Sequence, residues 1–180
     1  MAGRPSRRHR QLCRGTRPPF SIMAALLQGG EAVASWMLDP LTGRICLAEK
    51  GSGAFIDGTR IHADQRASCR NRLTGAILAR FVPDLVKSQI EQRSQQLKLV
   101  PGLLCAGAEY PEVAGGDRHF AVFWRTLPWD HVPGALFLEE AGGYVVRPDG
   151  SPYRAACDGA GLIVARNQSI GTDVMNLLFR

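Results

Sequence analysis

The sequence predicts a mixed fold, α+β or layered α/β, on three observations. Short apolar runs are broken by glycine turns in the first half, helix-spaced runs alternate with strand-like ones in the second, and the length suits one domain. The 180 residues are 45% hydrophobic, enough to bury roughly two thirds of the surface that an unfolded chain of this size exposes. FSIMAALLQ (20–28) and EAVASWMLD (31–39) flank Gly29-Gly30 and read as a hairpin. Asp39-Pro40 followed by Leu41-Thr42-Gly43 is turn chemistry. RICLAEKG (44–51) and GAFIDGTRI (53–61) then form a second pair around Gly51, Gly53 and Gly58, which makes this half an antiparallel meander.

RLTGAILARF (72–81) is strand-like. Pro83 opens PDLVKSQIEQRSQQL, where Leu85, Ile90 and Leu97 lie roughly on one face, and a proline in the first turn supports a helix. LKLVPGLLCAG (97–107) reads as a buried strand and GDRHFAVFWRT (116–126) as another. WDHVPGALFLEEAGG (129–143) is a helix that Gly142-Gly143 stops. The strand YVVRP, a turn at Asp149-Gly150, the apolar run AGLIVA and a helix over 169–179 complete the chain, which has no internal repeats.

The chain carries 22 Lys and Arg against 16 Asp and Glu, but Arg4, Arg7, Arg8, Arg10, Arg14 and Arg17 all precede Pro18, where no acid occurs. Without those six the body is balanced, so a nucleic-acid footprint, which needs a basic face, is not expected. Residues 1–19 lack apolar periodicity and read as a disordered basic tail, with the folded domain over 20–180. The five cysteines, Cys13, Cys46, Cys69, Cys105 and Cys157, show no CxxC spacing and read as free thiols of a reducing cytoplasm. No apolar run approaches the roughly 20 residues that span a bilayer, so no membrane partner is expected.

Asp130 stands between Trp129 and the apolar helical run. As the N-cap of a helix beginning near Val132, with Pro133 in its first turn, its carboxylate would accept a backbone N–H and stabilise the helix by about 1 kcal/mol. The same helix start is an anion site, where a phosphate and a hard cation held by that carboxylate would meet. On residue chemistry alone both readings stand.

Trp129-Asp130, then Gly134, then Glu140-Ala141-Gly142-Gly143 resemble W-D-x-A-x-G followed by E-A-G-G of the inositol monophosphatase family of Mg²⁺-dependent phosphatases. The stretch from Pro18 through GSGAFIDGTRI resembles that family's strand pair with its D-P turn, and the likeness runs to the C-terminus. The resemblance implies a layered αβαβα fold in which two or three Mg²⁺ ions activate water and stabilise the leaving oxygen of a phosphate monoester. It makes Asp130 a metal ligand. The other ligands of the family come from an upstream glutamate and a D-P-[ILV]-D-G-T segment.

Neither precedes Phe20 here, so a partial fold is expected that lacks the N-terminal helices and the first metal-site strand. Asp39 matches the family's structural turn and Asp57 its hairpin turn, and neither is recruited as a ligand. The tail occupies the place where the acidic motif should end. Pro5 to Cys13 can be encoded CCC AGT CGA CGG CAC CGG CAA CTT TGC, and prefixing GA makes the shifted frame read D-P-V-D-G-T-G-N-F. The expectation is a frameshift between that segment and Pro18, with residues 1–16 translated out of frame.

Phe123 takes the position of a family glutamate, seven residues before Asp130, that contacts a sugar-like hydroxyl, which argues against inositol phosphate itself. Arg125 is a candidate for a second anionic group through its planar fork. Cys105, Ala106 and Gly107 resemble the family's small-residue substrate loop, and His131 reads as a helix-start residue. Two functions of different class follow. One is a Mg²⁺-dependent phosphomonoesterase acting on a small sugar, polyol or nucleotide phosphate in a full-length parent, with this chain inactive alone. The other is a catalytically silent remnant that binds a partner or homodimerises.

Overall fold

The computed structural model describes residues 19–63, 73–156 and 159–180. The expected tail, through residue 18, and Cys13, Cys69 and Cys157 lie outside the described residues.

The first half is the expected meander. Strands β1 (Ile22–Gln28), β2 (Glu31–Leu38), β3 (Ile45–Glu49), β4 (Gly53–Ile56) and β5 (Thr59–Ile61) pair in sequence order, each antiparallel to the next. Gly29 and Gly30, at φ 60° and 84°, make the first hairpin turn in a region where side chains are disfavoured. The two carboxylates declined as metal ligands are turn residues. Asp39 accepts from the Leu41 N–H and the Thr42 hydroxyl, both at 2.8 Å, and Asp57 accepts from the Ile45 N–H at 2.8 Å.

The second half builds a five-stranded mixed sheet in the order β7 (Lys98–Leu99), β6 (Thr74–Leu78), β8 (Phe120–Phe123), β10 (Leu162–Ala165), β9 (Tyr144–Val146). β6 runs parallel to β7 and β8, and β10 antiparallel to β8 and β9. Among the described residues four α-helices accompany the sheets: α1 (Asp84–Arg93), α2 (Ala106–Gly115), α3 (Pro128–Glu140) and α4 (Gln168–Phe179).

Two cores define the layers. Met37, Cys46, Ala48 and Ala54 of the first sheet pack with Tyr110 and Val113 of α2 and Leu136, Phe137 and Leu138 of α3, which also cover Ala121 and Val164 of the second sheet. On that sheet's other face, Phe120, Val122, Val146 and Ile163 pack with Ile90 of α1 and Ile170, Val174 and Leu178 of α4. The order is therefore sheet, helix pair, sheet, helix pair. The first sheet's outer face carries a cross-strand row of Ala24, Trp36, Leu47, Phe55 and Arg60, with Trp36 42% exposed.

Three expectations need correction. The stretch 97–107 is not a buried strand: only Lys98–Leu99 pairs, both residues are exposed, and Pro101 cannot donate to a ladder. Helix α2 has no counterpart in the sequence reading, because Pro111 inside it and its flanking glycines look like breakers. Helix α3 begins at Pro128 rather than Val132, with Leu127 as N-cap and Pro133 in its interior.

Candidate active site

The earlier start of α3 changes the place of Asp130. It is the third residue of the helix, in the first turn, and its own N–H bonds the Leu127 carbonyl at 3.0 Å. Its carboxylate is not the cap, and a negative charge in the first turn is favoured by the helix dipole. At the other end Ala141 is the C-cap and Gly142 adopts φ 87°. The Gly142 N–H bonds Glu139 and the Gly143 N–H bonds Leu138, both at 2.8 Å, which closes the helix with a Schellman motif.

His131, in the first turn of α3 as the sequence suggests, is buried and brackets two elements. Its Nε2 lies 3.0 Å from the Arg125 carbonyl and its Nδ1 3.1 Å from the Tyr110 hydroxyl. A carbonyl only accepts, so Nε2 carries the proton and the tyrosine donates to Nδ1. Burial drives its pKa down to about 4, against a smaller upward pull from the Arg125 carbonyl. The ring is therefore neutral and committed at both nitrogens, which excludes it as a general base near neutral pH.

Phe123, the residue in place of the family's glutamate, is 5% exposed. It stacks on Tyr110 at 5.7 Å between centroids and meets His131 edge-on at 4.6 Å. The motif glycine Gly134 belongs to the same assembly: a Cβ there would lie 2.1 Å from Tyr110 Cδ2, so α2 and α3 approach this closely only because no side chain intervenes. These four residues hold the first turn of α3 against β8 and α2, and Asp130 rides on that turn.

The N-terminus of α2 forms the neighbouring element. Cys105 is its N-cap residue, buried, with Sγ 3.6 Å from the Ser21 hydroxyl and no capping bond from its side chain. Ala106 is half-buried and packs against the core. Gly107 faces β1, where an added Cβ would meet the Ser21 Oγ at 2.0 Å, so what the structure gives for it is packing. The loop before Cys105 is held from within α2. Glu109, fully buried, accepts from the Leu103 N–H and pairs with Arg118 at 3.1 Å, and Arg118 in turn donates to the Pro101 carbonyl at 3.0 Å. Burial nevertheless raises the Glu109 pKa. Leu104 at the loop's end adopts φ 58° and is 70% exposed, a strained backbone beside the candidate site. Arg125 leaves the end of β8 and stacks on Phe81, with its guanidinium carbon 4.2 Å from the ring centroid.

At the far end of α3, Glu140 clamps the turn between β3 and β4, accepting from the Gly51 N–H at 2.8 Å and the Gly53 N–H at 3.0 Å. The sequence reading used this glutamate only as a motif letter. Two cavities flank the helix pair. One, of about 250 Å³, is lined by Glu31, Lys50, Glu139 and Tyr153 among others, and the other, of about 230 Å³, runs from Ser21 to Glu112 beside Gly107.

Mg²⁺ demands near-octahedral oxygen coordination. Among the described residues, no three His, Cys, Asp or Glu side chains gather where they could hold a metal ion. The described residues alone do not fit a magnesium centre: Asp130 is a single carboxylate on the first turn of α3. Among the described residues, no helix is long and apolar enough to cross a membrane.

The family model described as the inositol monophosphatase family matches residues 11–176. A Thermotoga maritima protein named fructose-1,6-bisphosphatase/inositol-1-monophosphatase is 32% identical over 140 residues, which cover 77% of this chain and 53% of that protein. A Pseudomonas aeruginosa protein named Nus factor SuhB is 31% identical over 140 residues, 71% of this chain and 49% of the relative. A solved Thermotoga maritima IMPase superposes with a TM-score of 0.74 at 28% identity, over 88% of this chain and 60% of that one. Inositol monophosphatase II of Staphylococcus aureus gives 0.78 at 17% identity, over 88% and 59%, a likeness of fold. The chain thus spans about half to three fifths of the length of these relatives. On this fold, these motifs and the match over 11–176, the chain belongs to the inositol monophosphatase family.

Proposed function

We propose that the chain supplies the Asp130-bearing part of a Mg²⁺-dependent phosphomonoesterase acting on a small sugar, polyol or nucleotide phosphate, and that the 180 residues alone do not turn over. The observation that carries this is the placement of Asp130 on the braced first turn of α3, in a chain whose described residues hold no metal-binding cluster. A helix start offers N–H groups and positive potential to phosphate, and Asp130 contributes one carboxylate toward a metal whose further ligands would come from a D-P-[ILV]-D-G-T segment. Cys105, Ala106, Gly107 and Arg125 are the proposed substrate-side residues. The same proposal takes residues 1–16 as out-of-frame translation of that acidic segment. Resequencing the locus tests it, and an intact upstream frame with no one-base or two-base discrepancy would sink the frameshift.

Activity is tested by phosphate release from a sugar phosphate with Mg²⁺, comparing the chain with Asp130→Ala and Asp57→Asn. Neither substitution is expected to change a rate that equals the blank. The second reading, a silent remnant that binds a partner or a second copy, is favoured by the apolar outer face of the first sheet, where Ile22 and Leu26 are 60% and 56% exposed. Sedimentation of the purified chain separates them: a concentration-dependent dimer lost in Trp36→Lys supports the second reading.

A further inference from the structure

The cavity of about 250 Å³ beside α3 takes no part in the proposed phosphatase chemistry, and its lining is uneven in charge. Three carboxylates, Glu31, Glu139 and Glu140, face two cations, Lys50 and Arg154, so one negative charge is left over when all are ionised. Two of the carboxylates are committed. Glu31 pairs with Lys50 at 2.5 Å and with Arg154 at 3.5 Å, which uses both cations. Glu140 accepts from the Gly51 and Gly53 N–H groups. The Glu139 carboxylate, at the open rim, makes no ion pair or hydrogen bond among the described residues.

A second group in the same lining is unsatisfied. Tyr153 packs against the core with the Arg147 guanidinium carbon 5.2 Å from its ring centroid, and its hydroxyl is buried without a hydrogen-bond partner. An unpaired buried hydroxyl carries a desolvation cost that a bound donor removes. Val132, Ala135 and Leu136 of α3 supply an apolar wall, and an apolar lining with a few polar anchors is the usual make-up of a small-ligand site. The volume lies just below the common range of about 300–1,000 Å³, which limits an occupant to a few carbon atoms. Burial, and after it the neighbouring Glu140, hold the Glu139 carboxyl up at about 7, the behaviour of a carboxylate short of a cation.

We infer that this cavity binds a small primary amine, whose ammonium takes the Glu139 carboxylate and the Tyr153 hydroxyl as acceptors while its alkyl part lies against Val132, Ala135 and Leu136. An ammonium supplies the missing positive charge and three N–H donors, and carboxylate and phenol oxygens both accept. The site is separate from Asp130, since nine residues of α3 at a rise of about 1.5 Å each put Glu139 roughly 13 Å further along the helix. Its occupation therefore does not depend on the phosphatase reading.

The test is calorimetric titration of the 180-residue chain at about pH 8 with n-butylamine and with n-butanol, which has the same alkyl chain and no charge. Butylamine is expected to bind about tenfold more tightly, the worth of one charge-assisted contact. Glu139→Gln should remove most of that ratio and Tyr153→Phe part of it, while Glu91→Gln on α1 leaves it unchanged. Lowering the pH to about 6 protonates Glu139 but not the amine, so the affinity should fall about tenfold, and Glu139→Gln should flatten that dependence. The other charged or titratable groups lining the cavity are Glu31, whose carboxyl the hydrogen bond and charge of Lys50 pull down, Tyr153, which burial pushes up to about 12, and Lys50, Glu140 and Arg154. Circular dichroism confirms that each variant keeps its fold. Equal affinity for the amine and the alcohol, no amine binding up to about 10 mM, or a ratio unchanged in Glu139→Gln overturns the site.

Discussion

The Tyr110 hydroxyl on α2 donates to Nδ1 of His131 on α3 across 3.1 Å, and both side chains are almost completely buried. That bond fixes the ring whose other nitrogen holds the Arg125 carbonyl. The turn bearing Asp130 is therefore located by two hydrogen bonds that reach different elements.

Tyr110→Phe keeps the ring stacked on Phe123 but leaves a buried Nδ1 without its donor. The expected loss of stability is about 1–3 kcal/mol, the desolvation cost of an orphaned buried acceptor. Urea unfolding measures it, and an unchanged midpoint and slope would show that the bond contributes nothing.

The same histidine gives a pH dependence. Its folded pKa of about 4 lies below the ordinary 6.5, so between those values the unfolded chain binds the extra proton. Stability contributed by neutral His131 is fully present above about pH 6.5 and is lost as pH falls toward 4. Glu139 opposes it. Desolvation, and after it the neighbouring Glu140, raise the carboxyl of Glu139 to about 7 at the partly open rim of its cavity, so its contribution is present below about pH 4.5 and is lost as pH rises through 7. Solvent at the rim weakens this second effect. On a Glu139→Gln background, His131→Asn should flatten the acid limb of a melting-temperature profile.

Gly134→Ala forces a methyl group into the Tyr110 ring. Overpacking of this kind costs about 1–3 kcal/mol, and the Tyr110 ring that the methyl group meets is fully buried and stacked on Phe123, so it has little room to withdraw. Thermal melts of Gly134→Ala with and without Tyr110→Ala test the assignment: the penalty should shrink when the ring is absent.

Glu140→Gln exchanges one carboxylate oxygen for an NH₂ group facing a backbone N–H. Loss of one charge-assisted bond at this half-buried clamp should cost about 1–2 kcal/mol. Amide exchange of Gly51 and Gly53 reads it directly, with faster exchange expected at both.

The first-half meander was legible because glycine pairs and alternating residues act locally: Gly29-Gly30 closes the β1–β2 hairpin, although a β-bulge opposite Leu26-Leu27, which the sequence does not signal, shifts the register beyond it. Helix α3 is legible in its apolar run and Schellman stop, but its start is masked because Pro133 looks like a first-turn residue, while Pro128 fills that role. Helix α2 was hidden by Pro111, which is tolerated in a helix wedged between two sheets. Of the site, Asp130 was visible through its motif. The His131 bracket and the stacking of Arg125 on Phe81 were not, because each depends on residues brought together by the α2–α3 and β6–β8 packing rather than by spacing along the chain.

Whether Asp130 lacks the partners for a metal site in this chain is decided by steady-state phosphate release from the purified 180 residues at saturating Mg²⁺, run beside Asp130→Ala. No release above the blank is expected in either protein. Release that depends on Mg²⁺ and disappears with Asp130→Ala would contradict it, since a complete metal site would then have to lie within these 180 residues.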